Sequence, residues 1–137
     1  MPYKPCQSLL TPTERTFFAA LTRAAASDCL IFAKVCLRDV VYLPRNADNY
    51  MSWFGKISQQ HLDFVLCDRI AVRPFLVIEL DDRSHQRADR IERDASKDAV
   101  LHQVGLVVVR VPVAQGYDVA QLRATIDRAA RSTAAAV

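Results

Sequence analysis

Three carboxylates and a histidine crowd residues 79–85 of this chain. Residues 74–98 read PFLVIELDDRSHQRADRIERDASKD: an apolar run, Phe75 to Ile78 and Leu80, holds Glu79 inside it and leads to Asp81, Asp82 and His85. A strand suited to burial does not carry an unpaired acid without cost. Upstream, HLDFVLCD sets Asp63 near the start of a second apolar run, and RIAVR joins the two. An antiparallel hairpin with a symmetric turn about Ala71 makes Cys67 face Phe75 and Asp63 face Glu79. Opposed residues on one face lie roughly 5 Å apart at Cβ. Strand alternation adds Asp81 to that face, about 7 Å along from Glu79, and turns Asp82 away. Asp63, Glu79 and Asp81 thus converge at one end of a sheet. Like charges that close need a cation, a proton or a basic side chain. A hard divalent ion, Mg²⁺ or Mn²⁺, accepts carboxylate oxygens in this way and keeps waters for chemistry. Such a metal would activate water and neutralise charge on a phosphodiester being cut.

The elements that must position these acids follow from pattern. In LTPTERTFFAALTRAA, Thr11 is the predicted N-cap, Pro12 the first helical residue and Glu14 the partner of a capping box. Phe17, Phe18, Leu21 and Ala25 give that helix its apolar face. Cys29 to Leu43 is β-branched and aromatic and reads as strand, interrupted near Arg38-Asp39. PRNADNYMSWFGKISQQ then reads as a long connection, and its mixture of Arg45, Tyr50, Trp53, Phe54 and Lys56 suits nucleic acid. A helix is predicted from about Arg87 to Val104, with Ala88, Ile91, Ala95 and Ala99 as its apolar stripe, widened by Val100, Leu101 and Val104. Gly105 ends it. LVVVRV is a near-continuous apolar strand, as in a parallel central position. Asp118 caps a last helix that faces the core with Val119, Leu122, Ile126 and Ala129. The order is α-βββ-α-β-α, an α/β fold with a mixed four-stranded sheet and a crossover through the helix after residue 87.

The totals bound the function. The chain has 137 residues, enough for one core, taken as a single domain over 11–131 between an irregular first ten residues and a flexible tail at 132–137. A net charge of +3 permits a phosphate-bearing partner without demanding one. Cys6, Cys29, Cys36 and Cys67 form no CxxC pair and no zinc-finger spacing, so they read as reduced core thiols. No secretory signal and no membrane-spanning run is visible, and a cytoplasmic location is expected.

HLDFVLCD, FLVIELDDRSHQ and RDASKDAVLHQVGLVVVRV together resemble an uncharacterised bacterial domain family of the restriction-endonuclease-like, PD-(D/E)XK, nuclease superfamily, and are similar to the very-short-patch-repair endonucleases. The resemblance covers about Thr11 to Pro112 and is most specific from Asp63 to Arg110. It implies a three-layer core and a Mg-dependent endonuclease acting on DNA; DNA is the expected partner, with RNA as the alternative. It carries the metal-binding aspartate onto Asp63, the second acid onto Glu79 and the first-helix glutamate onto Glu14. Asp81 stands where many members have the lysine of E-X-K, which orients or deprotonates the attacking water. His85 and Lys97 are the candidates to replace it. Some members have moved that lysine to the following helix, where Arg90, Asp94, Lys97 and Asp98 share one face.

Each residue also has a plain structural account. Glu14 completes a cap; His85 could cap or pack; Lys97 could pair with Asp94 in solvent. Trp53 and Phe54 could pin their loop to the core. Arg110, inside a buried strand, needs an acid or a phosphate, and a structural pair is expected. The expected nucleic-acid contacts are Arg45, Trp53, Lys56 and Arg90. The alternative to an enzyme is an inactive nuclease-fold module that binds nucleic acid or a protein partner. A carboxylate glycoside hydrolase is a third option, disfavoured by the short chain and the lack of an aromatic-rich cleft.

Overall fold

The computed structural model describes residues 1–82 and 88–135. The expected proton-transfer residue His85 lies outside them. Four strands form one open sheet in the order β1-β2-β3-β4: β1 Leu30–Cys36, β2 His61–Cys67, β3 Pro74–Asp81 and β4 Val107–Pro112. The first two pairings are antiparallel and β3 pairs with β4 in parallel, so the sheet is mixed as predicted. Helices flank it: α1 Pro12–Ala25 and α5 Val119–Ala135, and α4 Ala88–Gln103, the crossover between β3 and β4. Two apolar clusters result. One joins α1 and α5 to the sheet through Phe17, Leu21, Phe64, Ile78, Leu122 and Ile126. The other lies under α4 and holds Leu37, Leu62, Val65, Val77 and Leu101.

Local chemistry sets the helix ends. Thr11 Oγ1 accepts from the Glu14 N–H, and the Thr11 N–H donates to Glu14 Oε1 at 2.9 Å, the reciprocal box read from the sequence. Gly105 closes α4 with a φ of +78°, a left-handed conformation that suits glycine. Asp118 Oδ1 accepts from the Ala120 and Gln121 N–H groups and starts α5.

Several expectations change. The strand predicted over Cys29–Leu43 stops at Cys36, and a single helical turn, α2 (Leu37–Val40), follows. The long connection contains a helix, α3 (Tyr50–Ile57), so Trp53 and Lys56 are helical. Cys67 pairs with Pro74, not Phe75, because the hairpin register shifts between Leu66 and Cys67. Residues 132–135 of the supposed tail continue α5. Cys29 and Cys67 are buried thiols, but Cys6 is exposed and Cys36 only partly covered. Among the described residues no helix is long and apolar enough to cross a membrane.

One irregularity matters for the site. Lys34, in the middle of β1, has a φ of +53°, which costs a non-glycine residue about 1–3 kcal/mol. The β1–β2 ladder pairs Ala33 with Phe64 and Val35 with Leu62, and passes over Lys34 and Asp63. Residues i and i+2 of a regular strand share a face. Here Ala33 and Phe64 pack in the first cluster, and Val35 and Leu62 in the second. Both strands therefore change face at Lys34 and Asp63. The Lys34 ammonium reaches Glu14 Oε1 at 3.4 Å, half in solvent, a pair worth about 0–1 kcal/mol. Lys34→Gly relieves the backbone while losing that pair, so its urea midpoint should match or slightly exceed the parent's. A loss above about 2 kcal/mol would mean the ammonium, not the backbone, holds this position.

Candidate active site

The site forms where the β2–β3 ladder gives way. Regular pairing runs as far as Phe64 opposite Ile78. One step on, Asp63 and Glu79 oppose each other, as the sequence predicts, and their carboxylates take over from the backbone. The Asp63 N–H donates to Glu79 Oε2 at 2.8 Å, and the Leu80 N–H donates to Asp63 Oδ2 at 2.8 Å. Each acid braces the opposite strand, which fixes both groups without long side chains spanning open space.

Glu79 is 3% exposed. Burial pushes its carboxyl above the ordinary range and the charge of Asp63 adds to that; Lys97 and the Asp63 N–H pull the other way without cancelling it. The partner is close: Lys97 Nζ lies 2.6 Å from Glu79 Oε1, with the lysine side chain 13% exposed. Lys97 also donates to the His61 carbonyl at 2.9 Å. The lysine expected to migrate onto the helix therefore reaches the acid, and it pairs with Glu79 rather than with Asp94.

It gets there because α4 packs in an unusual sense. The stripe predicted to face the core, Ala88, Ile91, Ala95 and Ala99, faces solvent, with Ile91 58% exposed. The charged face, with Asp94, Lys97 and Asp98, is turned inward and partly buried. The physical reason lies on the sheet. Glu79 and Arg110 are neighbours in the parallel β3–β4 register, both charged and both beneath α4. The helix answers each: Lys97 meets Glu79, and Asp98 and Asp94 meet Arg110 at 2.7 and 3.5 Å. Two strand charges left unpaired would cost more than the exposure of a few alanines and one isoleucine. Only the last turns revert to the expected arrangement, with Leu101 fully buried.

The expected triad of acids becomes a pair. Asp81 lines a separate polar cavity of about 350 Å³ with Arg90, Asp94, Asp98 and Arg110. Among the described residues no three Asp, Glu, His or Cys side chains come together as metal ligands. Asp63 and Glu79 still fit a divalent ion by donor chemistry. Asp63 Oδ1 has no partner among the described residues, and each Glu79 oxygen accepts one hydrogen bond. Mg²⁺ is commonly held by one or two carboxylates plus waters and substrate phosphate.

The other candidates disperse. Arg90 and Lys97 line one polar cavity beside His61. Trp53 and Lys56 lie on α3, with the ammonium 4.8 Å from the ring centroid, over an apolar cavity shared with Tyr42 and Val100. Arg45 is exposed in the turn before α3. Glu14 keeps its capping box and adds Lys34; burial pushes its carboxyl up, but the Thr11 hydrogen bonds and Lys34 outweigh this and hold it below its ordinary value. Lys34 and the inward face of α4 escaped sequence reasoning. The signal for α4 was present: two opposite charges inside adjacent buried strands require counter-charges from whatever helix covers them.

No curated protein and no solved structure matches the chain. A family model described as "Protein of unknown function (DUF2726)" matches residues 6–130. The chain belongs to that family.

Proposed function

We propose that this domain is a divalent-metal-dependent nuclease of the restriction-endonuclease-like fold, hydrolysing phosphodiester bonds in DNA. One observation carries the reading: α4 exposes its apolar stripe in order to bring Lys97 to the buried Glu79, beside Asp63. The ion pairs make that arrangement stable, and buried charges set against the local pattern are a common mark of a functional site. Asp63 and Glu79 would hold Mg²⁺ or Mn²⁺, which supplies an activated water and neutralises charge on the phosphodiester. Lysine has three N–H donors. Glu79 and the His61 carbonyl use two of them. The third is left to orient the water or to hold a phosphate oxygen, the part that the lysine of E-X-K plays in the superfamily that the sequence resembles. Asp81, standing at that lysine's place, favours the second reading, a binding module without catalysis. Lys97 answers it from the helix.

The test is nicking of supercoiled plasmid with Mg²⁺ or Mn²⁺, with and without chelator, by the parent and Glu79→Gln. Cleavage that needs metal and drops at least a hundredfold in the variant supports the reading. No cleavage by the parent, together with Mg²⁺ binding that Glu79→Gln leaves unchanged, sinks it.

A further inference from the structure

We infer that the cavity in front of Lys97 is a subsite for one nucleotide of an unpaired DNA strand, in which Arg90 and Arg93 hold a phosphate and Gln60 accepts an N–H of the adjoining base. This rests on the nuclease reading, and it names how the substrate lies. The cavity, about 260 Å³, is walled by Gln60 and His61 where β2 begins and by Arg90, Arg93, Asp94 and Lys97 of α4.

Its charge selects an anion. Among these walls three cations face one acid, and that acid, Asp94, lies 3.5 Å from Arg110. Lys97 is neutralised by Glu79, and Arg93 makes only an exposed pair with Asp89. Arg90 has no hydrogen-bond or ion-pair partner among the described residues. Arg90 also lines the neighbouring cavity with Asp81, Asp94, Asp98 and Arg110, yet makes no hydrogen bond or ion pair with any of them, and an uncommitted guanidinium suits a phosphate.

A second and independent feature asks for a donor. Gln60 Nε2 donates to the Lys56 carbonyl at 2.7 Å, which fixes the amide. Its Oε1 is buried and has no partner among the described residues. A buried acceptor left unmade costs about 1–3 kcal/mol. Within a DNA strand the phosphates and sugars offer acceptors, and the donors are the N–H groups of base edges. A phosphate with its adjoining base supplies both requirements at once, when the wall that covers Gln60 Oε1 in the free domain gives way to the base. About 260 Å³ leaves room inside for one base and not for a base pair, so a base held there is unpaired.

The experiment is fluorescence anisotropy with two labelled single-stranded oligonucleotides, one with bases and one abasic, in chelator so that nothing is cut. The variants are Arg90→Ala, Arg93→Ala and Gln60→Leu, with Arg128→Ala on the exposed side of α5 as the charge-matched control. Arg90→Ala should weaken binding of both strands about tenfold and reduce the slope of log affinity against log salt by about 0.7. Arg93→Ala should do the same to a lesser degree. Gln60→Leu should leave the slope alone and narrow the preference for the strand with bases; Arg128→Ala should change nothing. The inference is overturned if the parent does not bind single-stranded DNA. It is equally overturned if Arg90→Ala binds within twofold of the parent with the same slope, or if Gln60→Leu weakens both strands alike, the result of a bound water only. Nicking without Arg90-dependent binding would remove this subsite and spare the catalytic reading. Arg90-dependent binding without nicking would do the reverse.

Discussion

Lys97→Met is expected to lower the stability of the domain by about 3–5 kcal/mol at neutral pH, because it leaves the buried Glu79 carboxylate without its cation. That is roughly 10–20 °C in Tm for a chain of this size. The size of the effect follows from geometry: a 2.6 Å pair, with the acid 4% and the lysine 13% exposed at the side chain, is screened by little water. A surface pair such as Arg93–Asp89, on the same helix, should cost almost nothing when cut. The loss should shrink in acid. Glu79 already has a raised carboxyl, from burial first and from Asp63 second, and removing Lys97 raises it further. A group with a raised folded-state pKa favours the fold below its ordinary value, 4.5 for glutamate, and that contribution is lost as pH rises through the folded value. The gap between parent and Lys97→Met should therefore widen from acid to neutral pH in urea titrations. A gap that does not change with pH would mean that Glu79 is not the group left stranded.

The double replacement Glu79→Leu with Lys97→Met should behave in the opposite sense. Buried ion pairs are often matched or exceeded by apolar residues of similar volume, by about 1–4 kcal/mol. The floor here is apolar, with Leu62, Val77 and Leu101 in the cluster beneath α4. The double variant should recover most of what Lys97→Met alone loses at neutral pH. It should fall short of the parent by no more than about 1–3 kcal/mol, the cost of the Asp63 N–H left without its acceptor. It should also lose the contribution that Glu79's raised carboxyl makes in acid and gives up as pH rises, since that group is gone, while Glu14, held below its ordinary value, still acts the other way. A double variant as unstable as the single one would show that the pair is needed for folding and would weaken its assignment to chemistry.

Much of this was legible in the sequence, for identifiable reasons. The capping box at Thr11 and Glu14 is local, and local chemistry decided it. Asp63 stands opposite Glu79, as a symmetric connection predicts, because the bulge between Leu66 and Cys67 restores that register after Cys67 pairs one residue early with Pro74. Arg110 required an acid and found two. The face of α4 was not legible from its own residues. Its apolar period is real, but the helix answers charges on β3 and β4, and periodicity within one segment does not weigh a neighbour's demands. The third acid failed for a related reason. Alternation placed Asp81 correctly on the strand, yet it lines the Arg110 cavity instead of joining the pair. The turn of face at Lys34 depends on a left-handed backbone that no residue type there announced.

The most direct measurement is Mg²⁺-dependent nicking of supercoiled plasmid by the parent beside the Glu79→Leu, Lys97→Met double variant, both first shown to be folded by their urea midpoints. The account predicts nicked product from the parent that chelator abolishes, and none from the folded double variant. Equal nicking by that variant, or a parent that cuts nothing in metal, would contradict it.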